Sequence, residues 1–179
     1  MGKNTWNSIK FLPNRHNYIL STSLNIDEIK NNYEIKSFND LDSLLIYLKN
    51  KNYDSNWVIG GAKLYKTFFE RNLIDKLYIT LIDKDIKCDT FMPSMPKCYI
   101  KNEFRLSNEL FENKYKVYYI IYEKIKKNQK LIYKNFNQCT VKDIHYEDFP
   151  NIYITIYVNN KEVQTIVENL KLSKNLDYI

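Results

Sequence analysis

The hydrophobic positions of the first half of the chain follow helical spacing in some stretches and form short apolar runs in others. Four leucines recur at helical spacing and predict a helix over residues 40–50, with Ser37 or Asn39 as its N-cap. Helices are also predicted at residues 3–9 and 62–71. Apolar runs predict strands at residues 17–20, 57–59, 76–82 and 115–122. Alternation of strands with helices predicts an α/β fold with a mainly parallel twisted sheet and helices on both faces. The two late strands have no helix between them, which predicts an antiparallel C-terminal edge.

The last third of the chain differs in character from the part before it. From Glu123 the sequence is polar and rich in Lys and Asn over a long stretch. Residues 152–158 then form the most strand-like run of the chain, and apolar periodicity predicts a helix at residues 160–172. These changes predict a domain at residues 1–125 and an extension at residues 126–179.

Composition and charge exclude several classes of protein. Of 179 residues, 44% are hydrophobic and 15% aromatic, which is enough for a packed core. The net charge of +6 is spread along the chain with no basic block, so nucleic-acid binding is not expected. The three cysteines lack a CxxC spacing, so neither a structural disulfide nor a metal site is expected. No apolar run approaches the roughly 18 residues of a membrane span, and the N-terminus has no signal-like apolar region, which predicts no membrane partner and a cytoplasmic protein.

Glycine is scarce, and its three positions suggest a use. Average usage of about 7% would give roughly a dozen glycines in such a chain, but only Gly2, Gly60 and Gly61 are present. Gly2 directly precedes one predicted helix, and Gly60-Gly61 separates a predicted strand from another helix. Glycine allows close approach of a backbone, and a helix N-terminus offers free N–H groups and a positive dipole end. Both places are therefore candidate phosphate sites.

Four motifs occur in a defined order along the chain. They are residues 1–9 (MGKNTWNSI) followed by 12–15 (LPNR), then 58–65 (VIGGAKLY), 77–80 (LYIT) and 89–93 (DTFMP). In this order and at these separations the motifs resemble the dihydrofolate reductase family. The resemblance covers residues 1–125 and implies a dihydrofolate-reductase-like α/β fold.

The resemblance implies NADPH as the cofactor. It implies contacts from the Gly2 turn, from the end of the first predicted strand, and from the diglycine with its following helix. The residues concerned are Gly2, Lys3, Asn4, Thr5, Leu20, Ser21, Thr22, Gly60, Gly61, Ala62, Lys63, Leu64 and Tyr65. A cation beside a helix N-terminus suits a pyrophosphate, although a lone lysine is as often a solvated surface residue. The family joins its two glycines by a cis peptide bond, so the same is expected here.

The resemblance implies 7,8-dihydrofolate as the substrate, with reduction to tetrahydrofolate, and antifolates as ligands of the same site. The planar guanidinium of Arg15 would hold the α-carboxylate of the glutamate tail. Ile9, Leu12 and Ile59 would line the apolar slot for the rings, although each is also an ordinary core residue type. Thr80 would hydrogen-bond in the pterin site and support catalysis.

One part of the family pattern has no counterpart in the sequence. In the family, a strand, a mobile loop and a helix carrying the single catalytic acid precede the Met-Gly motif, which here stands at Met1. No catalytic residue is therefore assigned. In the favoured explanation, the chain is an inactive fragment of a working reductase that starts upstream. In the second, it is a non-catalytic nucleotide-binding or interaction protein. In the third, residues 152–158 fill the vacant central strand in a permuted arrangement.

Two further alternatives stay open. The tail would be a lineage-specific extension, or a link towards a fused or separate thymidylate synthase. The pyrimidine reductase of the riboflavin pathway is a lesser alternative for the function. Arg15 after Leu-Pro-Asn, together with Thr5-Trp6, favours folate because a ribose-phosphate substrate would not require an apolar slot with a carboxylate clamp.

Overall fold

The computed structural model describes residues 1–107, 116–134, 137–147 and 151–173. It divides into two compact units. The first comprises Met1–Arg71 with Thr90–Pro93, and the second comprises the other described residues.

Helices and strands together confirm the predicted α/β class. The helices of the described residues are α1 Lys3–Ile9, α2 Leu41–Lys49 and α3 Ala62–Glu70. The strands are β1 Asn17–Leu20, β2 Asp27–Lys30, β3 Tyr33–Phe38, β4 Lys76–Ile82, β5 Tyr99–Ser107, β6 Val117–Lys124, β7 Lys130–Tyr133, β8 Asn137–His145, β9 Tyr153–Val158, β10 Lys161–Thr165 and β11 Leu170–Leu172. All three helices predicted in the first half are confirmed, as are β1 and β4, and the strand predicted at 115–122 is found as β6.

The first unit is organised by a three-stranded sheet in the order β1-β3-β2. β1 runs parallel to β3, and β2 runs antiparallel to it. Ile19 of β1 and Ile35 of β3 are buried on one face of this sheet, and Phe38 of β3 is buried on the other. Asn31 and Asn32, with φ of 51° and 67°, form the tight turn from β2 to β3. Two residues at positive φ match the right-handed twist of a hairpin, and asparagine tolerates this conformation.

The N-cap of α2 is not either of the predicted residues. The Asp40 side chain accepts a hydrogen bond from the Ser43 N–H at 2.8 Å and caps the helix. The prediction of Ser37 or Asn39 is wrong because Ser37 lies within β3, where its Oγ accepts from the Ile26 N–H at 2.8 Å. Side-chain capping requires an acceptor directly before the first helical turn, and only Asp40 stands there.

The strand predicted at residues 57–59 is also wrong. These residues belong to no strand, and Trp57 is 61% exposed. Within the described residues, no strand pairs along this segment. An apolar run indicates a tendency to be buried, but a strand also needs a neighbour that takes up its N–H and C=O groups.

The second unit contains two antiparallel sheets. One has the order β4-β6-β5 and confirms the antiparallel C-terminal edge. The other has the order β10-β9-β8-β7-β11. Its last strand in the sequence, β11, pairs with its first strand in the sequence, β7. Ile100 of β5 and Ile125 share one buried cluster with Val141, Ile154 and Ile156 of the second sheet. Among the described residues, parallel pairing is found between β1 and β3 and at a single bridge between Gly2 and Leu20.

The helix predicted at residues 160–172 is wrong. This stretch forms β10, one 3-10 turn at Val167–Asn169, and β11. Asn159 and Asn160 have φ of 49° and 60° and reverse the chain, so that β10 pairs with β9 instead of starting a helix. The Asn-Asn pair is a hairpin signal that outweighs the weak apolar periodicity after it.

The strand predicted at residues 152–158 is confirmed as β9, but it does not occupy a central position among the strands of the first half. β9 pairs with β8 and β10. The permuted arrangement is therefore wrong. The polar stretch before it contributes β7 and β8, and the domain boundary near residue 126 stays a prediction.

A network around the Glu34 carboxylate joins β1, β3 and α2. Tyr18 donates to Glu34 at 2.5 Å, Tyr47 donates at 3.0 Å, and the Lys51 ammonium donates at 2.8 Å. The Glu34 N–H donates to Nδ1 of His16 at 3.0 Å. Burial opposes ionisation of the carboxyl, but the hydrogen bonds from Lys51, Tyr18 and Tyr47 outweigh it and lower the pKa of Glu34 to about 2.

We expect the Glu34 network to make the stability of the chain acid-sensitive. A carboxyl whose pKa is lower in the folded state stabilises the fold above its ordinary pKa, near 4.5, and this contribution is lost as the pH falls towards about 2. Glu34→Gln should cost about 1 kcal/mol at neutral pH and should flatten the loss of stability in acid. Urea unfolding across this pH range tests this. Glu70→Gln, which removes an exposed carboxylate of α3, is the control. Equal acid slopes for Glu34→Gln and the unmodified chain would contradict the prediction.

The three free cysteines lie in the second unit and differ in exposure, so the reactivity of their thiols tests the packing of that unit. Cys88 is exposed, whereas Cys98 and Cys139 are 1% and 4% exposed. Burial raises the pKa of Cys98 to about 11 and also raises the pKa of Cys139. We expect one thiol to react rapidly with a disulfide reagent, and the other two to react only on unfolding. Fast labelling of Cys139, located by peptide mass, would show that the sheet containing β8 is not packed as described.

Candidate cofactor and substrate site

Backbone hydrogen bonds bring two of the sequence motifs together in the first unit. The Gly2 N–H donates to the Gly60 carbonyl at 2.8 Å. The Leu20 N–H donates to the Met1 carbonyl at 2.8 Å, so the end of β1 lies beside the same turn. Residues that are far apart in the sequence thus meet at one place, and each helix that follows a glycine begins there.

The starts of α1 and α3 lie next to each other. Gly2 caps α1 and Gly61 caps α3, and neither helix has a side-chain cap. A Cβ built on Gly61 would lie 3.8 Å from Oγ1 of Thr5, in the first turn of α1. N–H groups of a first helical turn have no partner within the helix, so two sets of donors and two positive dipole ends converge. This arrangement suits an anionic ligand with more than one phosphate.

Gly60 is the position where the backbone demands glycine. Its φ is +103°, and a Cβ there would lie 3.3 Å from the Tyr65 hydroxyl. The Gly60–Gly61 peptide bond is cis, as the resemblance implies. Gly61 has φ of −76°, and a Cβ on Gly2 would make only ordinary contacts, 3.7 Å from the Gly60 carbonyl oxygen. Scarcity of glycine therefore marks an irreplaceable backbone conformation only at Gly60.

A lysine and a serine loop lie beside the start of α1. Nζ of Lys3 donates to Oγ of Ser23 at 2.8 Å, and the Ser23 N–H donates to Oγ of Ser21 at 3.2 Å. The Ser21 N–H donates to the Phe38 carbonyl at 2.8 Å, which holds the loop to β3. Ser23 was not among the predicted residues, and the Ser-Thr-Ser run is the only signal that could have indicated it.

The other predicted cofactor residues differ in exposure. Leu64 is buried, so its side chain belongs to the core, and its backbone N–H donates to the Gly61 carbonyl at 2.9 Å. The exposed side chains are those of Asn4, Thr22 and Lys63, and the half-buried ones are those of Thr5, Leu20, Ala62 and Tyr65. Burial raises the pKa of Tyr65, which therefore stays a neutral phenol.

The predicted substrate residues of the first unit lie at or near its surface. Arg15 is exposed, and its Nε donates to the Pro13 carbonyl at 3.2 Å. Leu12 and Ile59 are half-buried, and Ile9 is 42% exposed. The side chain of Ile9 is too exposed for a core residue, whereas an apolar slot for a ligand requires accessible side chains. The roles of these residues stay predictions.

Thr80 lies in the second unit, in the middle of β4. It is exposed and pairs with Tyr119 of β6 across the sheet. Its predicted hydrogen bond in the pterin site stays a prediction. In the described ranges, no cluster of His, Cys, Asp and Glu side chains could hold a metal ion, and no helix is long and apolar enough to cross a bilayer.

Comparisons with known proteins agree with the motifs. The family model described as dihydrofolate reductase matches residues 1–124. A bifunctional dihydrofolate reductase-thymidylate synthase of Plasmodium chabaudi is 33% identical over 182 residues, which cover 94% of this chain and 31% of that protein. A dihydrofolate reductase of Heliothis virescens is 29% identical over 133 residues, which cover 70% of this chain and 72% of that protein. The chain spans about a third of the length of such bifunctional relatives.

The two adjacent glycines should respond differently to an added methyl group. Gly60→Ala should lower stability by about 1–3 kcal/mol, because its φ of +103° is one that L side chains rarely adopt. Gly61→Ala is the matched control, with φ of −76° and only a 3.8 Å contact with Thr5. Thermal unfolding of both variants tests this, and an equal loss in the two would contradict the assigned conformation.

Proposed function

Because this chain belongs to the dihydrofolate reductase family, we propose that it binds NADPH and 7,8-dihydrofolate for reduction of the folate to tetrahydrofolate. The observation that carries the proposal is the junction of Gly2 with Gly60. This junction sets two helix starts, a lysine and a serine loop around one point of the first unit. Each of these elements suits a phosphate of the cofactor, and the two helix starts and the lysine come from motifs of the family.

The cofactor would be held mainly through its phosphates. N–H groups at the starts of α1 and α3 would donate to the diphosphate, except that of Leu64, which already donates to the Gly61 carbonyl. Lys3 and Ser23, already joined at 2.8 Å, would bind a phosphate beside the loop that includes Ser21. Gly60 would allow the nicotinamide end to approach the backbone closely. When bound, NADPH supplies the hydride.

The substrate would be held by its two chemically different ends. The Arg15 guanidinium is exposed and presents a planar fork that matches a carboxylate of the glutamate tail. Leu12, Ile59 and Ile9 would contact the apolar rings, since all three keep part of their surface accessible.

Reduction also needs a proton for the pterin, and no residue of the chain is assigned to deliver it. General acid catalysis requires a titratable group within hydrogen-bond reach of the atom that is protonated. Binding and turnover are therefore separate questions for this chain. Binding without turnover would make it a nucleotide-binding or interaction protein derived from a reductase, which is the alternative function.

Thymidylate synthase is the partner that the relatives support. The names of the Plasmodium proteins assign both activities to one chain. We infer that a thymidylate synthase, fused or separate, works with this protein. Copurification of a tagged chain with thymidylate synthase activity tests the separate form.

The experiment that tests the proposed function measures both ligands separately. Thermal shifts of the purified chain with NADPH and with methotrexate report binding, and NADPH oxidation with dihydrofolate reports turnover. Lys3→Ala should weaken NADPH roughly tenfold or more, and Arg15→Ala should weaken methotrexate similarly, because each removes a charge-assisted hydrogen bond.

Each variant should leave the other ligand unaffected. Lys66→Ala, which removes an exposed lysine of α3 paired with Glu70, controls for the loss of charge alone. A chain that melts cooperatively but binds neither ligand would overturn the proposal. Loss of both ligands in Lys3→Ala would indicate damage to the fold and not to one site.

A further inference from the structure

Asn17 is a buried amide whose hydrogen bonds all go to the segment that carries Arg15. It lies at the start of β1 and is 1% exposed. Its Oδ1 accepts from the Leu12 N–H at 3.0 Å, and its Nδ2 donates to the Leu12 carbonyl at 3.0 Å. The same Nδ2 donates to the Arg15 carbonyl at 2.7 Å. One side chain therefore spans the two ends of the turn at residues 12–15.

The geometry of these hydrogen bonds fixes both the orientation and the position of the turn at residues 12–15. Because Asn17 contacts both the N–H and the C=O of Leu12, the amide plane and the Leu12 backbone are locked together. The bond to the Arg15 carbonyl then sets the far end of the turn. An amide buried without partners would be costly, and here all the partners are backbone groups of this turn.

The anchor itself is held firmly. Asn17 pairs with Ile35 of β3, and Ile19, two residues along β1, is fully buried. Side chains supported by regular strands are located more tightly than those supported only by loops. The sheet of the first unit therefore determines, through Asn17, where the turn lies.

The exposed guanidinium of Arg15 is hydrogen-bonded within the turn at residues 12–15. Nε of Arg15 donates to the Pro13 carbonyl at 3.2 Å, so the side chain is directed by the same four residues that Asn17 holds. We propose that Asn17 is a positioning residue that sets the Arg15 guanidinium for the substrate carboxylate. This role rests on the proposed function, and it does not extend to the cofactor, whose predicted residues Asn17 does not contact in the described bonds.

The test compares ligands with and without a glutamate tail. Dissociation constants are measured on the full chain for methotrexate, for a 2,4-diaminopyrimidine antifolate that lacks the glutamate, and for NADPH. Asn17→Ala should weaken methotrexate about 10- to 100-fold, since a displacement of about 1 Å is enough to disable a bidentate clamp. NADPH should change less than about threefold, within the usual scatter between variants. The antifolate without glutamate should weaken less than methotrexate, because it loses only the support of Leu12 against its rings.

A double-mutant cycle shows whether Asn17 acts through Arg15. Once Arg15→Ala has removed the clamp, adding Asn17→Ala should weaken methotrexate no further. Ile35→Val trims the core beside Asn17 without touching the turn and is the control for stability. Additive losses, or an equal loss for the ligand without glutamate, would overturn the positioning role.

A second measurement needs no folate ligand. The Nε–H resonance of Arg15, observed by ¹⁵N-edited NMR, should shift and exchange faster with solvent in Asn17→Ala but not in Ile35→Val. Asn17→Ser, which keeps a hydroxyl but shortens the side chain, serves if the alanine variant does not fold. If the unmodified chain binds neither antifolate, the proposed function fails. An unchanged Nε–H resonance in the variant would overturn the positioning itself.

Discussion

The hydrogen bond from the Gly2 amide to the Gly60 carbonyl is the contact on which the candidate cofactor site depends. It is possible because Gly60 takes φ of +103°, a conformation that turns its backbone in a way other residues rarely adopt. Once this bond forms, the starts of α1 and α3 are neighbours. Their N–H groups and positive dipole ends then lie close enough to contact the same ligand. Neither helix start would suffice alone, because a dinucleotide carries several phosphates. The site is thus a property of the pair, and it fails if either glycine segment moves.

β1 connects this site to the substrate side. Its C-terminal end leads into the serine loop that Lys3 reaches, and its N-terminal end supplies Asn17, which holds the turn of Arg15. A strand of this length spans about 10 Å at roughly 3.3 Å per residue. The strand would therefore set the spacing between the proposed phosphate site and the proposed carboxylate site. The Glu34 network holds the middle of β1 through Tyr18. Electrostatic interactions and core packing therefore both keep β1 in the same position.

Asparagine takes the place of glycine in the turns. Of the nine non-glycine residues with positive φ in the described ranges, seven are asparagine. Asparagine accepts this conformation at a small cost because its short polar side chain bonds locally. The hairpins at Asn31 and at Asn159 are absent from the sequence-based prediction, which does not treat an Asn-Asn pair as a turn signal. At Asn159 the error changed a strand pair into a predicted helix. In the first unit it left both β2 and β3 unrecognised, although the helices and β1 were placed correctly.

The sequence by itself determined the family, the α/β class, the three helices and the glycine segments, because each depends on residues close together in the chain. Only the tertiary structure decided that residues 57–59 form none of the strands of the described residues, that Asp40 caps α2, and that β9 belongs to a separate sheet. It alone also brought Ser23 to Lys3 and Asn17 to the turn that carries Arg15. These features depend on hydrogen bonds between groups that are distant in sequence. A local pattern shows which groups need a partner, but folding decides which partner each one meets.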